Sequence, residues 1–464
     1  MLDLFEGSAD MTVSAAVERT RRSFASGRTR GVEWRLEQLR GIVKLLDERE
    51  EEIAAALADD LGRNKAEAWF GDVASTRGEA EYAIKHVRSW MRRRRQPLSP
   101  IQYPGSAWIQ FEPLGVVLII GPWNYPVYLT LSPLVAAVAA GNCAVVKPSE
   151  LAPATSALLA RLVPEYLDSE AISVIEGDAS VTQDLLSCGF DHALFTGGTE
   201  IGKKIMAGAA PTLTPVTLEL GGKSPVIVAE DADLDIVARR IAWVKLMNSG
   251  QTCIAPDYVL ADHRIRDRLV DKIIAQIVEF ERDTSVDGRR IVNQRQFDRL
   301  AGYLDKTHGR IALGGRVTES SLSIEPTVIV DPHPEDAVMQ EEIFGPVLPV
   351  LSYETLDEAI AFVNARPKPL AGYYFTRSSS AQRRLVDEIP CGGAVINHVA
   401  MHCLVPQLPF GGVGASGIGA YHGRWGFEAL SHRKAVLKKT FRPDLRLVYP
   451  PYTDLAMKIL RKIF

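Results

Sequence analysis

An α/β fold with two doubly wound parallel-sheet domains is what this sequence predicts, and three observations predict it. Short continuous apolar runs such as "GVVLIIG" (115–121) and "CAVVKPS" (143–149) read as strands covered on both faces. Stretches with helical apolar spacing alternate with them, as in "PATSALLARLVPEYL" (153–167). Glycines punctuate the joints, at Gly141 and in "FTGGT", where a strand must hand over to a helix.

Taken in order, the chain is helical from Ser14 to about Arg95, with Leu36, Leu39, Val43, Leu46, Ile53 and Leu57 near helical spacing. The basic run Arg92–Arg95 reads as a solvated helix end rather than an anion site. "SAWIQFEPLG" alternates after a proline-rich break and reads as an edge strand or hairpin arm. Strand 115–121, helix 129–141, strand 143–149, helix 153–167, strand 171–177, strand 192–198 and a helix from Thr199 make the first cycle. A second cycle has strand 226–230, helix 233–247, strand 258–262, helix 265–281 and strands at 371–376 and 393–398.

Composition narrows the function classes. A chain of 464 residues, 46% hydrophobic and 24% charged, can bury a large core in two or three units. A net charge of −4 gives no reason to expect a nucleic-acid partner. The five cysteines are odd in number and form no CxxC pair, which argues against a disulfide framework or a structural zinc, so no metal site is expected. "MLDLFEGSADMTV" lacks the basic and apolar regions of a secretory signal, and no apolar run reaches the roughly 20 residues of a span. A soluble cytoplasmic protein is the expectation.

Six segments carry chemistry. "NSGQTCIAP" frames Cys253 with small and polar neighbours, where a structural cysteine would sit among apolar ones. "GPWNYP" presents Asn124 after a strand, either as a turn former or as an amide donor to a developing oxyanion. "LELGGKSP" sets Glu219 between leucines, where burial raises a carboxyl toward the range of a general base. "FTGGTEIGKKI" ends a strand at Gly198 and opens a helix at Thr199, with Gly202 one turn in. Its backbone N–H groups can receive a pyrophosphate or simply make a tight turn. "VVKPSE" places Lys147 and Glu150 beyond an adjacent strand, where Glu150 could accept from a ribose hydroxyl. "QEEIFGP" adds Glu342 and Phe344.

With "FTGGTEIG", "LELGGKSP", "NSGQTC" and "EEIFGP" in this order and approximate spacing, the chain resembles the aldehyde dehydrogenase superfamily over nearly its whole length. "RRIAWVKLMNSGQTCIAPDY", "LPFGGVGASGIGAYHG" and "YPPY" are similar to its class 3 branch, the aromatic and fatty aldehyde enzymes. The resemblance implies a small oligomerisation arm beside the two domains, and a homodimer. It implies a dinucleotide-binding domain from 1–102 and 115–219, a catalytic domain over 220–418, an arm from 103–114 and 419–448, and a tail at 449–464.

Roles follow from the same resemblance. Cys253 matches the nucleophile that forms a thiohemiacetal and then a thioester, Asn124 the oxyanion donor, and Glu219 the base that activates water, with Glu342 an alternative base. Lys147 and Glu150 match positions near the adenosine ribose, Gly198, Thr199 and Gly202 the pyrophosphate turn, and Glu342 and Phe344 the nicotinamide-ribose contacts. NAD is the implied cofactor, with NADP an alternative because class 3 enzymes often accept both. Gly198 stands where many relatives carry Ser or Asn, so one side-chain contact is lost.

Tyr125, Tyr128, Trp243 and Met247 are large apolar residues near these motifs, the last two sharing a helix face, and read either as a substrate pocket or as core. His402 falls where the resemblance puts a substrate-entrance loop, and no catalytic role is assigned to it. In the tail, Leu455, Ile459, Leu460, Ile463 and Phe464 make a stripe beside Lys458, Arg461 and Lys462. That stripe can pack on the protein's own surface or touch a membrane surface. Two rivals remain: a relative that passes its thioester to coenzyme A, against which Glu219 argues, and a non-catalytic dinucleotide-binding relative, which would be expected to lack Cys253, Glu219 or Asn124.

Overall fold

The structure, a computed structural model, describes residues 3–283 and 288–463. Two mostly parallel sheets organise it. In the first, the strands run in the order Gly417–Ile418, Val216–Glu219, His192–Thr196, Val116–Ile120, Cys143–Lys147, Ile172–Val174, and only Gly417–Ile418 is antiparallel. Every residue of Val116–Ile120, Cys143–Lys147 and His192–Thr196 is buried, which is why those segments are apolar without alternation. The chain winds outward from Val116–Ile120 on one side and returns to its other side at His192–Thr196. That reversal opens a crevice at the carboxyl ends of the strands.

The second sheet has the order Arg310–Leu313, Thr327–Val330, Val347–Tyr353, Tyr258–Asp262, Pro225–Val228, Ala371–Phe375, Gly393–Ile396, with Arg310–Leu313 antiparallel. Three of these strands, Arg310–Leu313, Thr327–Val330 and Val347–Tyr353, are additions to the sequence reading. Helices Val32–Glu48, Glu50–Leu61 and Ser75–Trp90 pack on the helices Tyr128–Ala140 and Pro153–Tyr166 that cover the first sheet, and Leu39, Ile42, Ile53, Leu57, Ala83 and Val87 join the same core.

Two local expectations are corrected. "SAWIQFEPLG" is a hairpin arm and not an edge strand: Gly105–Pro113 pairs antiparallel with Arg94–Gln96 just before it and forms the middle of a three-stranded sheet completed by Ser431–Lys439. Nor is Arg92–Arg95 a solvated helix end. The helix stops at Trp90, Arg93 lies over the Trp108 ring at 5.1 Å, and Arg94 lies over Phe111 at 4.6 Å while pairing with Glu428. Aromatic faces on the neighbouring strand draw the two guanidinium groups out of the helix and into the sheet.

The last helix, Asp454–Ile463, leaves Leu455 68% exposed. Phe464 and the Ile463 side chain lie outside the described residues. Among the described residues no helix is long and apolar enough to cross a membrane.

Candidate active site at the meeting of the two sheets

The loop ahead of Cys253 begins where the helix Leu234–Leu246 ends, so Met247 lies one residue past the helix that Trp243 occupies. Asn248, Ser249 and Gly250 then adopt left-handed φ values of 51°, 54° and 70°. Such a run is costly for non-glycine residues and persists only when neighbours hold it. Here they do. Asn248 Nδ2 donates to Asn124 O and Gln251 O at 3.0 and 3.1 Å, and Gln251 Nε2 donates to Asn248 O and Arg290 O at 3.0 Å each. A Cβ at Gly250 would lie 2.3 Å from the carbonyl oxygen of Gly345, so this loop sits directly on the loop that carries Glu342 and Phe344.

Asn124 is 3% exposed, and its Nδ2 donates to Gln251 O at 3.1 Å, leaving its second N–H uncommitted. Behind it lies an ion pair of Arg63 with Asp72, both fully buried. Arg63 Nε donates to Asn248 Oδ1 at 3.0 Å, its Nη2 donates to Asn124 O, and its guanidinium covers the Tyr125 ring at 4.1 Å. Asp72 Oδ1 accepts from the backbone N–H groups of Val127 and Tyr128 at 2.9 and 2.8 Å. One buried cation thus ties the Asn124 loop to the Cys253 loop. Burial pushes the Asp72 carboxyl up, against the pull of Arg63.

Two acids flank the segment 219–222. Glu219 ends the strand Val216–Glu219, is 3% exposed, and neither carboxylate oxygen has a hydrogen-bond partner. Burial pushes its carboxyl well up. Glu342 lies on the other side, so close to the backbone that a Cβ at Gly221 would come within 2.0 Å of its Oε2. Burial and, after it, the charge of Asp257 raise Glu342 to about 8, while the Gly222 N–H holds it down in part. The Cys253 thiol is pushed up as well, by burial first and then by the charge of Glu342. Phe344 has φ 51° and meets Trp123 edge-on at 5.3 Å between ring centroids.

The crevice of the first sheet holds the remaining polar candidates. Ile120 has Lys147 opposite it on one neighbouring strand and Phe195 on the other. Lys147 is therefore about 10 Å across the strand ends from the turn that follows Phe195. The helix Thr199–Ala209 starts there with Gly198 as its N-cap, and no atom lies within 4 Å of where a Gly198 Cβ would stand. An open helix start with bare backbone N–H groups fits a pyrophosphate. Gly202 is needed for close packing, since a Cβ would lie 2.7 Å from Leu220. Lys147 is buried, donating to Pro148 O at 2.8 Å and Glu150 Oε2 at 3.0 Å, and Glu150 remains half-exposed at the rim. Thr199 Oγ1 donates to Ala415 O at 3.3 Å. These residues fit a dinucleotide.

Cys253 also lines an apolar cavity. Tyr125, Tyr128, Trp243 and Met247 share its wall, as do Phe70 and His422. Tyr125 Oη is paired with Thr252 Oγ1 at 2.7 Å, and Trp243 meets Phe70 edge-on at 5.7 Å. His402 is near this cavity but buried against Gly393 and Phe410, and burial lowers it to about 4. Sequence reasoning missed Arg63, Asp72, Phe70 and His422. The one available signal was "LGRNKAEAWFGDV", whose tryptophan and phenylalanine interrupt an otherwise charged helix, and where the backbone makes a π-helical turn at Trp69–Ala74.

Comparison with known proteins agrees with this geometry. The aldehyde dehydrogenase family matches residues 4–436. The chain is 46% identical over 443 residues to aldehyde dehydrogenase family 3 member A2 of Mus musculus, covering 94% of this chain and 91% of that one. It is 44% identical over 445 residues to the dimeric NADP-preferring aldehyde dehydrogenase of Rattus norvegicus, covering 95% and 98%. A substrate-bound Staphylococcus aureus AldH structure superposes with a TM-score of 0.93 at 40% identity, covering 97% of this chain and 99% of that one. The chain belongs to the aldehyde dehydrogenase family.

Proposed function

We propose that this enzyme oxidises an apolar aldehyde, aromatic or medium-to-long aliphatic, to its carboxylate with NAD or NADP. The observation that carries the reading is Cys253 on the wall of an apolar cavity whose adjoining loop is bonded to Asn124. Aldehyde in the cavity is attacked by the Cys253 thiolate, giving a thiohemiacetal. The free N–H of Asn124 and the backbone N–H of Cys253 donate to the developing alkoxide. Lys147, Glu150, Gly198, Thr199 and Gly202, with Glu342 and Phe344 at the nicotinamide ribose, would hold the dinucleotide, which when bound would supply the hydride acceptor. A thioester on Cys253 results, and Glu219 takes a proton from the water that hydrolyses it. Glu342 is the weaker candidate for that base, because its carboxylate already accepts from Gly222 whereas both Glu219 oxygens are free.

The arm supports a homodimer. Its outer strand Ser431–Lys439 is nine residues long and has one unpaired edge among the described residues, an invitation to a second sheet. A cytoplasmic enzyme, peripheral to membranes through the tail helix with its exposed Leu455, completes the reading. Removal of residues 452–464 should then weaken flotation with anionic vesicles; unchanged flotation would remove the membrane contact.

The central test mixes purified protein with NAD or NADP and benzaldehyde, hexanal or hexadecanal, and follows the reduced nicotinamide. Turnover that disappears in Cys253→Ala is expected. No turnover with any aldehyde, or full turnover in that variant, refutes the reading.

A further inference from the structure

Among the polar residues that line the largely apolar cavity, Ser75 and the pair Tyr125–Thr252 are hydrogen-bonded to protein atoms, whereas Tyr128 and His422 hold each other only loosely. Tyr128 Oη is 3.4 Å from His422 Nε2 and 3.4 Å from the carbonyl oxygen of Cys403. Both separations are long for a hydroxyl donor, so the phenol's hydrogen-bonding capacity is largely unspent. The other side of His422 is turned to Glu79, whose Oε1 is 3.1 Å from Nδ1 but out of line for a hydrogen bond, and whose Oε2 accepts from the Gly423 N–H at 3.1 Å. The ring is held flat by Phe410, stacked on it with centroids 5.1 Å apart. His422 is 2% exposed and Glu79 6%, and His422 keeps a φ of 88°, a conformation that its surroundings must impose.

Assigned from its carboxylate neighbour, the proton of the imidazole belongs on Nδ1, which leaves the Nε2 lone pair beside Tyr128 Oη at the cavity wall. An apolar substrate in contact with these atoms would strip them of water and give nothing back. A hydroxyl group would donate to Nε2 and accept from Tyr128 Oη, satisfying both. A carboxylate has no proton to donate and would face the charge of Glu79 behind the ring. Resting on the reading of the chain as an aldehyde dehydrogenase of apolar substrates, we propose that Tyr128 and His422 form a receptor for a hydroxyl group on the substrate. Phenolic and other hydroxyl-bearing aldehydes are then preferred to aldehydes of the same shape that carry a methyl group.

The test measures kcat/KM for 3-hydroxy- and 4-hydroxybenzaldehyde against 3-methyl- and 4-methylbenzaldehyde, with the acid product quantified by chromatography. Wild type is compared with Tyr128→Phe, which deletes one atom, and with His422→Gln, so that failure of one variant to fold leaves the other. Dividing the hydroxy-to-methyl ratio of wild type by that of each variant cancels the intrinsic reactivity of the aldehydes. For at least one ring position this quotient should be about tenfold or more, carried mainly by KM, as expected when a buried polar pair loses its partner. A quotient near one at both positions overturns the proposal, as does a wild-type preference for 4-carboxybenzaldehyde over 4-hydroxybenzaldehyde. Oxidation of the methyl compounds in that case shows that the parent reading survives. No oxidation of any compound overturns both.

Discussion

Replacing Arg63 with methionine removes one buried cation and keeps most of its volume. In the native chain Arg63 donates to Asp72, to Asn124 O and to Asn248 Oδ1, and it covers Tyr125. Breaking a buried pair of this kind costs about 3–5 kcal/mol. Burial already pushes Asp72 toward its neutral form, so it takes up a proton when Arg63 is gone, and the loss falls near the lower end, about 3 kcal/mol. At roughly 2–4 °C per kcal/mol for a unit of this size, thermal unfolding should drop by about 6–12 °C. The larger effect is on chemistry. Without Arg63 the carbonyl of Asn124 is untethered on one side, and misplacing one oxyanion donor costs about 10²–10³ in kcat. Thermal scans and steady-state kinetics on Arg63→Met, Asn124→Ala and the double variant check this. Because both changes act through one donor, the double variant should have a kcat within about threefold of Asn124→Ala. A lowered melting temperature with kcat within about threefold of wild type in Arg63→Met would refute the reasoning, leaving the pair as a purely structural element.

Three further outcomes are expected. Glu219→Gln should slow hydrolysis by about 10²–10⁴ and accumulate acyl-enzyme visible by intact-protein mass spectrometry; accumulation in Glu342→Gln instead would reverse the assignment of the base. Glu342, raised by burial from 4.5 to about 8, binds a proton in the folded state that the unfolded chain releases, so its contribution to stability is present below about pH 4.5 and is lost as pH rises to about 8. Urea unfolding at about pH 5.5 and 8.5 should therefore show Glu342→Gln gaining a few kcal/mol on wild type at the higher pH, and parallel pH profiles would count against it. Gly221→Ala puts a methyl group where the Glu342 carboxylate stands and should lower kcat/KM by about tenfold or more while leaving far-ultraviolet circular dichroism unchanged; wild-type kinetics in that variant would mean that the Glu342 position is immaterial.

The parts of the site legible in the sequence are those whose local chemistry conflicts with burial or regular structure. Cys253 among polar neighbours, Glu219 between leucines and Asn124 between prolines each stood out for that reason. The strands of the first sheet were legible because full burial on both faces makes them continuously apolar. Arg63 was not, since "GRNKAE" reads as a solvated charged stretch, and only the π-turn at Trp69–Ala74 brings Asp72 to meet it. Thr327–Val330 is four residues between prolines, and Val347–Tyr353 contains Pro349, a residue that argues against an inner strand. The central place of Gly105–Pro113 depends on Ser431–Lys439, whose "SHRKAVLKK" is too charged to announce a strand. Met247 leaves its helix because Asn248 and Ser249 turn left-handed under tertiary restraint, which no local propensity encodes.

The tether between Arg63 and Asn248 joins positions 185 residues apart in the chain. On a ribosome the turn between the helices Glu50–Leu61 and Lys65–Ala68, which carries Arg63, emerges well before the loop of Cys253 has been synthesised, so that loop can take its shape only after both are in place. Closing so long a span adds little to the entropic cost compared with a shorter one, but it places the event late. A half-folded chain therefore carries Cys253 without Asn124 held beside its loop. On refolding from denaturant, recovery of turnover should trail recovery of the helical signal, which makes enzymatic activity a gauge of completed folding rather than of secondary structure.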